Sequence, residues 1–143
     1  MKTKTTTNWI GGMAFDADIL GHHVIMDADP QWGGKDKGPF PKPLLLAALS
    51  GCSGMDVVSI LDKMKVKDYE LKIDVEADKT EEHPVIYKDI VIAFHFTGTD
   101  LPPDKLLKAV RLSTEQYCGV NAMLKKAAEV KVQVFINEQE VQL

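Results

Sequence analysis

Cysteine is scarce in this chain, with two in 143 residues. Two cysteines are too few for a disulfide framework. A zinc site would need two further ligands from four scattered histidines or from carboxylates. No metal-ligand spacing appears, so no metal is expected. Arginine is scarcer still, at Arg111 alone. Basic residues number 17 against 21 acidic ones, a net charge of −4 without blocks of either sign. A nucleic acid needs a concentrated positive patch, so none is expected as a partner. No apolar run approaches the ~20 residues that span a bilayer, so no membrane partner is expected. Met1-Lys2-Thr3-Lys4 carries positive charge with no apolar segment after it, which does not read as a signal peptide. The expected compartment is the cytoplasm, where thiols stay reduced. Apolar residues at 45% and charged residues at 27% exclude a disordered chain and fit one domain over 1–143.

Periodicity orders the chain. Phe15, Ala17 and Ile19 alternate with Asp16 and Asp18 between turn signals at Gly11-Gly12 and Gly21-His22, and Val24 and Met26 continue the pattern. This predicts a three-strand meander over the first 27 residues. Residues 28–43 hold four prolines and three glycines and read as a functional loop, pinned by Trp32 and Phe40. Pro43 suits the first position of a helix that runs to Lys65. Its early turns are apolar all round, which predicts burial on all sides. Tyr69 to Ala77 and Ile86 to Phe96 alternate as two strands. Pro102-Pro103 opens a second helix with Leu106, Leu107, Val110 and Leu112 as its inner stripe. Gly119 interrupts it, Ala122–Ala128 form a last helical piece, and Val130–Ile136 form a strand. Glu138, Glu140 and Gln142 read as a solvated tail. The order βββ-α-ββ-α(α)-β is α+β, with antiparallel sheets around a long central helix. Covering that helix calls for an intertwined homodimer; a monomeric sandwich is the plainer alternative.

The chemistry concentrates on two thiols. Ser50-Gly51-Cys52-Ser53-Gly54 lies in mid-helix, where each glycine costs ~1 kcal/mol relative to alanine. Two glycines so close suggest that something approaches the backbone there, either a ligand or a neighbouring helix. Cys118 follows 66 residues later at the predicted helix break. The ordinary reading of each cysteine is a small buried hydrophobe; the pairing of thiol, glycine and helix interruption weakens it. A nucleophilic thiol must ionise. Cys52 lies too far from the helix start for the dipole to help, so a cation is required. Arg111 is seven residues before Cys118, on the same helical face, with Glu115 between them as an ion-pair partner. Lys42 and its loop neighbours Lys35 and Lys37 are alternative cations. Asp56, four residues after Cys52, could accept a hydrogen bond from the thiol, although its charge would disfavour the thiolate. Surface ion pairing for Arg111–Glu115 and solvation for Asp56 and the lysines are the ordinary readings.

Pro30-Gln31-Trp32-Gly33-Gly34, the run Pro43-Leu44-Leu45-Leu46-Ala47-Ala48-Leu49-Ser50-Gly51-Cys52, and Tyr117-Cys118 together resemble the OsmC/Ohr family of thiol-dependent hydroperoxide reductases. The resemblance covers nearly the whole chain. It implies an intertwined homodimer with two interfacial sites and no metal or organic cofactor. It implies that Cys52 attacks the peroxide O–O bond and becomes a sulfenic acid, which Cys118 condenses to a disulfide. A dithiol such as a dihydrolipoyl protein would then reduce that bond. Two family features are missing. The arginine after the first glycine pair is Met13 here, and the glutamate ahead of the first cysteine falls at Lys42-Pro43. Lys42 offers charge near the lost glutamate, without the guanidinium fork.

Two functions of different class follow. One is a two-cysteine peroxide reductase. The other is a redox-sensing or binding dimer that holds an apolar or thiol ligand without turnover. A structural dimer with two core cysteines is the plainest third.

Overall fold

The computed structural model describes all residues, Met1–Leu143. They form two compact units, Met1–Leu45 and Leu46–Leu143.

The amino-terminal unit is the expected meander. β1 (Thr5–Trp9), β2 (Phe15–Ile19) and β3 (His22–Met26) pair antiparallel in that order. Leu20 and Gly21 both have positive φ (54° and 88°), the requirement of a two-residue turn whose twist matches its strands. Ala14 and Ala17 are buried, while Phe15 and Ile19 stay about 40% exposed. The loop after β3 is not pinned by its aromatics. Trp32 is 70% exposed and Phe40 is exposed as well. A buried carboxylate holds the loop instead. Asp27 accepts backbone N–H groups from Ala28, Lys35 and Lys37, and its own N–H donates to the Pro39 carbonyl. Gly34 fits because a Cβ there would overlap the Ala28 carbonyl.

In the second unit, β4 (Tyr69–Lys79), β5 (Tyr87–Gly98), β6 (Glu129–Ile136) and β7 (Gln139–Val141) form one sheet in that order. The sheet is mixed rather than antiparallel, since β5 and β6 run parallel from Asp89↔Glu129 to Phe96↔Ile136. A parallel pair needs a crossover. The segment between them supplies it as α2 (Pro103–Leu112), one π-helical turn (Ser113–Tyr117) and α3 (Gly119–Leu124). β7 lies where a solvated tail was expected. Asn137 and Glu138 take positive φ and turn the chain back onto β6. The Asn137 side chain bonds both backbone groups of Gly98, fixing that corner. Phe94, Phe96, Ile90 and Val134 from the sheet pack with Leu106 and Val110 of α2.

α1 (Pro43–Lys63) bridges the two units in sequence. It is not buried on all sides. Only Leu49, Ser53, Val57 and Leu61 are buried, one stripe at four-residue spacing. Met55 is 72% exposed, and Val58 is exposed beside it. By length and composition, with mean hydropathy 1.8, α1 is apolar enough to cross a membrane, as the core helix of a soluble protein can also be, although it contains no unbroken apolar run of that length. Interspersed Ser50, Ser53 and Asp56 break the run without lowering the average below that mark.

Candidate active site

Cys52, Ser53 and Asp56 sit on consecutive turns of α1. Four residues make slightly more than one helical turn, so Cys52 and Asp56 share a face. The crossover brings Cys118 to them. The two sulfurs and a carboxylate oxygen of Asp56 all lie within 4.8 Å of one another. Cys52 and Asp56 are half-buried, and Cys118 is 3% exposed.

The π turn decides how Cys118 arrives. The Cys118 N–H donates to the Ser113 carbonyl at 2.9 Å, an i to i−5 bond that widens the turn. Thr114 Oγ1 donates back to the Val110 carbonyl at 2.8 Å, which helps bend the helix there. Cys118 itself is extended (φ −75°, ψ 101°), and α3 starts at Gly119. The widened turn and the break cancel the seven-residue register expected of Arg111 and Cys118. Arg111 and Glu115 are exposed, form no ion pair with each other, and line a shallow surface pocket with Asp104 and Lys108. Lys42 belongs to the amino-terminal unit, half-buried just ahead of α1. Met13 lies in the same unit, lining a small pocket with Asp27 and Lys35.

One hydroxyl reaches the second thiol and another reaches the carboxylate. Ser53 Oγ donates to Cys118 Sγ at 3.2 Å, and the Asn121 N–H donates to the same sulfur at 3.3 Å. Ser113 Oγ donates to Asp56 Oδ2 at 3.0 Å. Asn121 Nδ2 donates to the Thr114 carbonyl, the free end of the π turn, while its buried Oδ1 has no partner. Burial pushes the Cys118 thiol above its ordinary pKa. The Ser53 and Asn121 hydrogen bonds pull the other way, and the neighbouring Cys52 thiol adds a further upward push.

Sequence reasoning missed Ser113 and Asn121 altogether and saw Ser53 only as a small residue. Their buried polar groups would have been a signal only with the helix ends known. The two glycines have different roles. A Cβ on Gly54 would stand 3.0 Å from Ile73 Cδ1, a close approach, whereas one on Gly51 would meet nothing within 4 Å. The reduced dithiol, carboxylate and hydroxyls can perform thiol–disulfide chemistry with local proton transfer.

The OsmC-like protein family profile matches residues 34–133 of the chain. Protein YhfA of Escherichia coli (strain K12) is 36% identical over 123 residues, which are 85% of this chain and 89% of YhfA. A protein from Aquifex aeolicus VF5 superposes with a TM-score of 0.84 at 29% identity, over 96% of this chain and 97% of that one. An organic hydroperoxide resistance protein OsmC from Legionella pneumophila shares the fold at TM-score 0.68 and 16% identity, over 94% and 97% of the two chains. A profile match over most of the length, together with a relative above 30% identity, places this chain in the OsmC-like protein family.

Proposed function

We propose that the protein is a two-cysteine thiol peroxidase that reduces organic hydroperoxides in defence against peroxide stress. The observation that carries this reading is the convergence of Cys52, Cys118 and Asp56 within 4.8 Å. Membership in the OsmC-like family supports it, as does a fold shared with proteins named for organic hydroperoxide resistance from Legionella pneumophila and Bacillus subtilis.

Cys52 is the more accessible thiol and attacks first. As its sulfur attacks the O–O bond, the thiol proton goes to the displaced alkoxide, which leaves as an alcohol, and Cys52 is left as a sulfenic acid. Cys118 then attacks that sulfur. Its burial-raised pKa means that a base must take its proton as the S–S bond forms. The Asp56 carboxylate receives that proton and passes it to the departing hydroxyl, which leaves as water. Disulfide bonding requires the sulfurs to close to ~2.05 Å, and the extended break at Cys118 gives the backbone a place to yield. An external dithiol, a dihydrolipoyl protein for example, restores both thiols and is itself oxidised to a disulfide. The protein works as a homodimer in the cytoplasm, with neither Arg111 nor Glu115 in the chemistry.

A ligand-binding reading has one observation in its favour. An apolar groove of about 400 Å³ lies between α1 and β4, lined by Gly51, Gly54, Met55, Val58, Leu71 and Ile73. Hydroperoxide consumption with a dithiol as reductant, measured for wild type and Cys52→Ser, separates the two. Turnover lost in Cys52→Ser supports the peroxidase. Equal rates for the two proteins overturn it.

A further inference from the structure

We propose that the reduced site is also a binding site for a thiophilic divalent cation of the Zn²⁺ type, held by Cys52 Sγ, Asp56 and Cys118 Sγ. The sequence offers no metal-ligand spacing, because the third ligand comes from 62 positions beyond Asp56. In the fold, two ligands one turn apart on α1 meet a third from a separate segment. Helix-borne zinc sites use the same layout.

Size favours the ion. Zinc–sulfur and zinc–oxygen bonds of about 2.3 and 2.0–2.2 Å in a tetrahedron set ligand atoms roughly 3.5–3.8 Å apart. The three ligand atoms here lie no more than 4.8 Å apart, so a contraction of at most about 1.3 Å brings them to ligand spacing. Binding exchanges the two thiol protons for one divalent ion, so the site keeps the single net negative charge that the Asp56 carboxylate gives it. Thiolate ligands select soft or borderline metals over magnesium or calcium. An outer shell is already in place. Cys118 Sγ accepts hydrogen bonds from Ser53 and Asn121, and Asp56 Oδ2 accepts one from Ser113. Such partners orient ligands and favour their ionised forms. Binding releases one proton from each thiol and changes no oxidation state. The fourth position is left to water or a small ligand. Metal and disulfide exclude each other, since the S–S bond consumes both sulfur ligands.

The proposal uses the same thiols as the peroxidase reading but does not depend on turnover. Co²⁺ serves as the probe, added to metal-free reduced protein, with the near-ultraviolet thiolate-to-cobalt absorption as readout. Wild type should bind one Co²⁺ per chain, and Zn²⁺ should displace it. Asp56→Asn should keep the thiolate band and weaken binding roughly tenfold or more. Cys52→Ser and Cys118→Ser should each lose at least half of the band. The wild-type disulfide form needs no substitution and should bind none. No thiolate band in the reduced protein, or equal binding by the disulfide form, overturns the proposal. Peroxide turnover is measured on the metal-free protein, so loss of activity with the cobalt band intact counts against the peroxidase alone.

Discussion

Ser53 and Cys118 are 65 positions apart in sequence, yet the Ser53 hydroxyl donates to the Cys118 sulfur at 3.2 Å. The residue beside the first cysteine therefore serves the second. Ser53 belongs to the buried stripe of α1, and the half-buried Cys52 lies one position around the helix. One short segment thus holds a half-buried thiol and, one position on, a hydroxyl that reaches the second sulfur.

Removing that hydroxyl should make the second thiol harder to ionise. The Ser53 bond lowers the Cys118 pKa against the upward effect of burial. In Ser53→Ala, with Cys52→Ser as background, the pH midpoint for alkylation of Cys118 should move up. A midpoint that stays put or moves down would show that the hydroxyl does not stabilise the thiolate.

Asp56→Asn keeps the shape of the side chain and its contact with Ser113 but cannot take a proton. Disulfide formation after one equivalent of hydroperoxide should slow by roughly 100-fold, while sulfenic acid still forms at Cys52. Stopped-flow trapping of the sulfenic acid separates the steps. An unchanged rate of disulfide closure would remove Asp56 from the relay.

Met55 is 72% exposed on α1 and lines the apolar groove. Glutamate is a good helix former, so Met55→Glu should cost the fold of one chain less than about 0.5 kcal/mol. If α1 meets a second copy there, the substitution should shift light-scattering mass from dimer toward monomer. A dimer that persists at micromolar concentration would place the contact elsewhere.

Asp27 gives the loop an acid limit. Backbone N–H groups of Lys35 and Ala28, with a smaller contribution from Lys37, hold its carboxyl below the ordinary value of 3.8. A lowered folded pKa means the stabilisation is complete above that ordinary value and fades as pH falls through the folded one. Local order in residues 28–38 should therefore survive to pH 4 and loosen in stronger acid, seen as line broadening of the Lys35 and Lys37 amides by NMR. Asp27→Asn should show the loosening already at neutral pH.

Much of the fold was legible because periodicity reports which face is dry. The alternation in β4 and β5, proline at the starts of α1 and α2, and the inner stripe Leu106 and Val110 all appear where the pattern put them. β7 was hidden because three residues carry almost no periodic signal, and its pairing depends on two positive-φ residues at the turn. Trp32 misled because a large aromatic suggests an anchor, whereas the loop is held by backbone N–H groups that no side-chain pattern reveals.

The chain order, the two cysteines and the Cys52–Asp56 spacing on one helical face were set by sequence alone, since helical geometry fixes the last and composition the rest. The tertiary structure decided which partners those groups meet. A single π turn changes the angular register by about one residue, sends Arg111 outward and turns Cys118 inward toward Ser53 and Asp56. Linear spacing cannot foresee that, because local backbone bonding settles it, and with it the neighbours of the second sulfur.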